Sequence, residues 1–219
     1  MVIVIDDLEL THLEQPKIVL DFFTDALQNQ IIERFSSQKA QKRYFQKVKD
    51  TCSFHFLVPM AEAYFFGEVP DALERAGANI PSKVDGSKMD VEKFLVPDHV
   101  HNRVDYFDAP AGNKKEPFWT RSPELRPQHP KKYIDFLCCP ETKYTTDNKN
   151  KFYKESKNGT NALKTLNWQK VLSNPNYAQY LRALIHDIAN KFDIYPLPFP
   201  GQCASLTEYT GQGKILRNF

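Results

Sequence analysis

The apolar run Val2-Ile3-Val4-Ile5 ends abruptly in Asp6-Asp7-Leu8-Glu9. Carboxylates gathered at one point repel one another, and a bound cation relieves that repulsion. Their hard oxygens favour Mg²⁺ or Mn²⁺, and Mg²⁺ keeps several waters while taking only one or two protein carboxylates. An ion of this kind activates water and neutralises charge on a phosphate. Asp6, Asp7 and Glu9 are the candidate ligands. A plainer role fits them too: acids collect where a strand gives way to a loop and where a helix begins. Glu62 follows a second apolar run, Phe54 to Val58, closed by Pro59. It joins the candidate set, and a first-turn helix acid is its alternative.

A second kind of chemistry needs cations. Lys131, Lys132, Lys151, Lys154 and Lys157 form a basic zone with Tyr133, Phe152 and Tyr153 between them. Interleaved cations and rings can hold a nucleic-acid backbone and stack its bases. They also suit a solvated charged face over buried aromatics. Lys131 and Lys154 are the residues expected to meet phosphate. His99 and His101 alternate beside Asp98, Asp105 and Asp108, so a strand there would aim both imidazoles one way. His129, ahead of Pro130-Lys131, reads as part of a solvated turn.

Cys52, Cys138, Cys139 and Cys203 form no CxxC pair, which argues against zinc and for reduced, mostly buried thiols. Neither GxGxxG nor a phosphate-binding P-loop occurs among the 8 glycines, and no GxSxG marks a nucleophile.

These residues need a scaffold. Val2 to Ile5 reads as a strand buried on both faces, as in a parallel sheet. Pro16 opens a helix whose rows Ile18, Phe22, Ala26 and Val19, Phe23, Leu27, Ile31 make a broad apolar face. Ala40 to Val48 is a second, basic helix with Lys39, Lys42, Arg43, Lys47 and Lys49 about it. Phe54 to Val58 is the second strand. The string AEAYFFG is a short helix that Gly67 stops, and Gly77 caps the turn after Asp71 to Ala76. Val91 to Val96 reads as a third strand. The stretch from Pro97 to Pro130 reads as loops, with one short strand around Val100 to Tyr106. Pro130 to Cys138, Thr160 to Ser173 and Asn176 to Phe192 are helices, with Leu181, Leu184, Ile185 and Ile188 as the core stripe of the last.

Strand, helices, strand predicts a βαβ crossover. The fold class is α/β: a mostly parallel sheet flanked by helices, with a helical C-terminal portion over about 130–192. Sites in such sheets form at the carboxyl ends of the strands, where Asp6, Asp7 and Glu62 would share one edge.

The strings VIVIDDLEL, FHFLVPMAEAYFFGE, HPKKYIDFL, FYKESKNGTNALKTLNWQKVL and YLRALIHDI occur in that order. Together they resemble the TOPRIM-related bacterial proteins grouped as domain-of-unknown-function family four-two-seven-six. The resemblance spans most of the chain. It implies a single TOPRIM-like domain over 1–219 and Mg²⁺-dependent phosphodiester chemistry, with a role in bacterial genome defence. Asp6 or Asp7 would match the metal-binding aspartates, and Glu62 the Glu of the family's aromatic helix. The pattern here is Asp-Asp-Leu-Glu rather than Asp-x-Asp, so Asp7 and Glu9 are the spaced pair. The Glu-bearing strand that precedes the aspartates in TOPRIM domains has no counterpart before Val2. That departure opens an alternative: a non-catalytic subunit that binds a protein partner encoded nearby.

The bulk composition limits these readings. With 219 residues, 41% hydrophobic and 26% charged, the chain is an ordinary globular protein. Its net charge of +2 means that nucleic-acid binding requires a local patch. No signal peptide and no run of about 20 apolar residues is visible. A cytoplasmic protein with no membrane association is expected.

Overall fold

The computed structural model describes residues 2–97, 125–140, 151–197 and 199–201. The expected strand near Val100, the His99–His101 pair with its aspartates, and Cys203 lie outside the described residues. The chain is mixed α/β and divides into two compact units, Met1–Leu57 with Gln179–Phe219, and Val58–Ala178.

In the first unit β1 (Val2–Asp7) pairs in parallel with β2 (Cys52–Leu57), from Val2 opposite Cys52 to Asp7 opposite Leu57. Leu8 extends the ladder by donating its N–H to the Leu57 carbonyl at 3.0 Å. Two helices make the crossover, α1 (Pro16–Arg34) and α2 (Gln38–Thr51). Pro16 occupies the first turn, where its missing N–H costs nothing. The expected helices and parallel pairing are therefore present, and among the described residues the sheet has two strands.

Burial departs from expectation. The buried strand is β2, with Ser53, Phe54, His55 and Phe56 all buried. In β1, Val2 is 57% exposed and Ile5 49%. These two point to opposite faces of the strand, so its β-branched run is part-open to solvent on both rather than enclosed. Helix α1 likewise turns inward one apolar row of the two expected. Val19, Phe23 and Leu27 are half-buried and Ile31 buried, whereas Ile18, Phe22 and Ala26 face outward. The Phe23 ring meets Phe54 at 4.6 Å, and Phe54 meets Phe56 edge-on at 4.9 Å.

The second unit packs around a short 3₁₀ helix, Ala61–Glu68. Gly67 lies inside it rather than stopping it. Tyr64, Phe65 and Phe66 are fully enclosed. Helix α3 (Asp71–Arg75) follows and ends at Gly77, whose φ of 99° is the left-handed cap expected there. Gly86 approaches the aromatic turn closely: a Cβ on it would lie 2.8 Å from both the Gly67 Cα and the Phe66 carbonyl oxygen.

The expected third strand is instead a 3₁₀ turn, Val91–Lys93. Its local cause is Asp90, which accepts the Glu92 N–H at 3.1 Å and so curls the backbone out of an extended path, while the distant Ala178 N–H, at 3.0 Å, holds the same carboxylate in place. Helix α4 (Pro130–Cys138) forms as expected. The helix expected over Thr160 to Ser173 is divided into α5 (Thr160–Lys164) and α6 (Trp168–Val171), because Asn167 caps a fresh start by accepting the Gln169 and Lys170 N–H groups. In the first unit, α7 (Gln179–Phe192) packs against β2 through its Leu181 and Leu184 face.

Candidate functional site

Asp6 and Asp7 stand at the carboxyl end of β1. The Asp7 N–H donates to Asp6 Oδ1 at 3.0 Å, leaving the other Asp6 oxygen for a further contact. Leu8 and Leu10 are buried on either side of exposed Glu9, whose φ of 62° and ψ of 155° lie in a region that suits glycine. Holding a non-glycine residue there costs about 1–3 kcal/mol, and such strain persists only where the surroundings impose it. Here the two leucine anchors impose it, and Glu9 is thrust outward at the strand end.

Asp6, Asp7, Leu8, Glu9 and His12 line one side of a cleft of about 490 Å³, and Ile18, Val19 and Phe22 of α1 line the other. Among the described residues no group of three His, Cys, Asp or Glu side chains converges on one point. A fully protein-built cage is therefore not what these acids form. The donor set is hard carboxylate at an open cleft, which fits an ion that takes one or two protein oxygens and fills its other positions with water.

A second constellation lies in the other unit and joins three distant strings of the sequence. Glu62 of the aromatic turn is 5% exposed and accepts a hydrogen bond from Tyr153 Oη at 3.1 Å. Lys131, on the first turn of α4, donates to Glu155 Oε2 at 2.5 Å. Asp135, one turn further along α4, lies 3.7 Å from Lys132 Nζ and accepts the Tyr153 backbone N–H.

Burial sets the protonation of this cluster. It raises the Glu62 carboxyl above the ordinary range, against the opposing pull of its backbone hydrogen bond, Lys131 and Tyr153. It pushes Asp135 up to about 6. Burial and then the Glu62 charge raise the Tyr153 phenol. For Lys131 burial works the other way, and Glu155, Glu62 and Asp135 together outweigh it and raise the ammonium.

The structure thus brings Glu62 and Lys131 into one cluster and places Asp6, Asp7 and Glu9 in the other unit. Lys131, expected to meet phosphate, is engaged with Glu155. Lys154 is exposed, and its carbonyl accepts three N–H groups, from Lys157, Asn158 and Gly159. Tyr133, Phe152 and Tyr153 are buried, so the rings of the basic zone face the core. His129 is no solvated turn residue. It is 2% exposed, and its Nδ1 caps α4 by accepting the Lys132 N–H at 3.4 Å.

Sequence reasoning named Tyr153 as a ring of the basic zone rather than a partner of Glu62, and it missed Asp135, Glu155 and a buried trio in the first unit. His55 Nε2 lies 3.1 Å from Asp187 Oδ2 and 3.2 Å from Ser53 Oγ, tying β2 to α7. The signal was present: Ser53 and His55 alternate on an otherwise apolar strand, so they share a face, and buried polar groups need partners. Glu68 was missed as well. It takes Arg75 at 2.7 Å and the Asn167 N–H at 2.8 Å, an arrangement that fixes the aromatic turn.

The thiols separate by environment. Burial, then the Asp135 charge, pushes Cys138 up to about 12, so its thiolate is scarce at neutral pH. Cys139 is buried and Cys52 half-buried. Under native conditions a thiol reagent is expected to modify Cys52 well before Cys138, with both equal once the chain is unfolded. Mass analysis of labelled peptides reads the order, and fast native labelling of Cys138 would contradict the buried environment.

No family model, curated protein or solved structure matches the chain.

Proposed function

We propose that the chain is a TOPRIM-like, Mg²⁺-dependent hydrolase of nucleic-acid phosphodiesters that acts in the cytoplasm, in bacterial defence. The observation that carries this reading is the cleft at the carboxyl end of the parallel pair, with Asp6, Asp7, Glu9 and His12 on one wall. Strand ends of parallel sheets are where α/β proteins place their sites. Asp7 and Asp6 would hold the ion, with Glu9 reaching it directly or through water. When bound, the ion lowers the pKa of water and offsets charge on the phosphate. His12 supplies an imidazole in the same cleft, suited to accepting the proton that an attacking water releases. Glu62 and Lys131 belong to the other unit and are given no part in this cleft.

The test is cleavage of DNA and RNA with Mg²⁺ or Mn²⁺. Asp7→Asn is expected to lower the rate by more than about tenfold, the scale of loss when a metal site is disturbed. Equal rates for wild type and Asp7→Asn end the assignment.

A second reading, a non-catalytic subunit for a protein partner, is favoured by one specific observation. The first unit exposes Val2, Ile5, Ile18 and Phe22, the last by 74%. Ile18 and Phe22 lie one turn apart on α1, and neighbouring exposed apolar side chains are what an interaction site presents. Mg²⁺ separates the two readings: a rise in melting temperature on adding the ion, lost in Asp7→Asn, belongs to the metal site alone.

A further inference from the structure

Helix α2 concentrates the positive charge of this protein. Lys39, Lys42, Arg43, Lys47 and Lys49 give it net +4 against the single acid Asp50. The whole chain is +2, so everything outside α2 is net −2. Lys39, Arg43 and Lys47 recur every four residues, and Lys42 lies beside them, so all four share one face of the helix. All four are exposed. Among the described residues none of the four forms an ion pair, whereas Lys17 pairs with Asp21, Lys131 with Glu155 and Lys170 with Asp71. Asp50, at the far end of the face, takes a hydrogen bond from Gln46 at 2.8 Å.

The opposite face of α2 is engaged. Gln41 donates to the Phe35 carbonyl at 2.6 Å, and Phe45 and Val48 are half-buried where the helix packs on α1 and β2. At the border Tyr44, 43% exposed, stacks on Phe35 at 4.0 Å. The surface therefore presents a row of unneutralised cations with an aromatic pair beside it.

We propose that this face of α2 is the surface on which a nucleic-acid strand lands. The inference rests on the nucleic-acid part of the reading above and does not depend on the metal. Lys39 to Lys47 spans about 12 Å of helix, at about 1.5 Å per residue. One strand of nucleic acid carries a charge about every 3.4 Å, so the row faces three or four phosphates. The Tyr44–Phe35 pair offers a ring for an unpaired base. An anionic membrane is the rival polyanion, but a helix that lies on a membrane must insert its apolar side. The apolar side of α2 is turned into its own unit.

The test is fluorescence anisotropy in EDTA, with short labelled oligonucleotides, single-stranded and duplex, and a parallel arm of phosphatidylserine vesicles. Combined Lys39→Gln, Arg43→Gln and Lys47→Gln is expected to weaken oligonucleotide binding by about tenfold or more. The slope of log affinity against log salt should flatten by about 2–3, close to one unit per phosphate contact removed. Gln matches Lys and Arg in helix propensity, so the helix persists. The Lys39→Arg, Lys47→Arg protein should bind as wild type does. The assay in EDTA reads binding with no divalent ion present, so failure of the hydrolase reading would leave this result standing. Affinity within about twofold of wild type with an unaltered slope overturns the proposal. So does vesicle binding that the triple substitution abolishes while oligonucleotide binding survives.

Discussion

Phe66→Ala is expected to destabilise the second unit by about 3–5 kcal/mol, the usual cost of removing a buried phenyl ring. The ring has no exposed surface. It meets Phe94 at 4.8 Å and Tyr133 at 5.7 Å, and Tyr133 in turn stacks on Phe136 at 6.0 Å. The backbone around it is equally committed, because the Phe66 carbonyl accepts the Gly86 N–H at 2.8 Å. Neighbours pinned in this way cannot collapse into the space the ring leaves, so the cavity penalty adds to the lost transfer energy. Against a total stability of about 5–15 kcal/mol, this is a large fraction. Phe22→Ala is the control. Phe22 is 74% exposed, and its removal should change stability by no more than about 0.5 kcal/mol. Denaturant unfolding with an unchanged m-value measures both. Equal effects would mean that the two rings share one environment, contrary to the packing.

The contrast between Phe66 and Phe22 shows what the sequence could and could not reveal. Both belong to apolar, helix-forming strings. Periodicity finds an apolar stripe on α1 but not how wide a stripe the rest of the fold will cover. The row through Val19, Phe23, Leu27 and Ile31 meets β2, and the row through Ile18 and Phe22 does not. The β1–β2 pairing was legible because two β-branched or aromatic runs flank two helical segments, and a parallel pair needs a crossover of that length. The turn at Val91 was not, because a hydrogen bond from the Glu92 N–H to Asp90 Oδ1 outweighs the strand propensity of Val91 and Phe94.

The candidate residues divide in the same way. Asp6, Asp7 and Glu9 were visible because they interrupt an apolar run at once, and local sequence alone puts them at a strand end. Glu62 was visible as an acid in an aromatic string, but its environment was not. The partners that bury and hold it, Tyr153 and Lys131, come from segments about 90 and 70 residues away, and no local rule joins them. The positive face of α2 was legible as composition. That Lys39, Lys42, Arg43 and Lys47 form no ion pair among the described residues is a fact of tertiary placement.

Asp135→Asn carries the other large expected effect, and its sign depends on pH. The Asp135 side chain is 14% exposed, and burial pushes its carboxyl up to about 6 from an ordinary 3.8, with Lys132 and Lys131 pulling the other way. Below pH 3.8 the carboxyl is protonated in both the folded and unfolded chain, and the native state has its full stability from this group. Between 3.8 and about 6 the folded protein holds a proton that the unfolded chain has released, so stability falls as pH rises. Above about 6 the group is charged in both states and the loss is complete. Two pH units correspond to about 3 kcal/mol as an upper bound, and the pull of the two lysines is already contained in that shift.

Asparagine keeps the volume and can still accept the Tyr153 N–H, and it carries no charge to bury. It gives up the 3.7 Å contact with Lys132 and the attraction of Lys131. Asp135→Asn should therefore be more stable than wild type at pH 8 and match it at pH 4. A variant less stable than wild type at pH 8 would mean that the lysines satisfy the carboxylate fully. Denaturant unfolding of both proteins at pH 4 and pH 8 decides between the two outcomes.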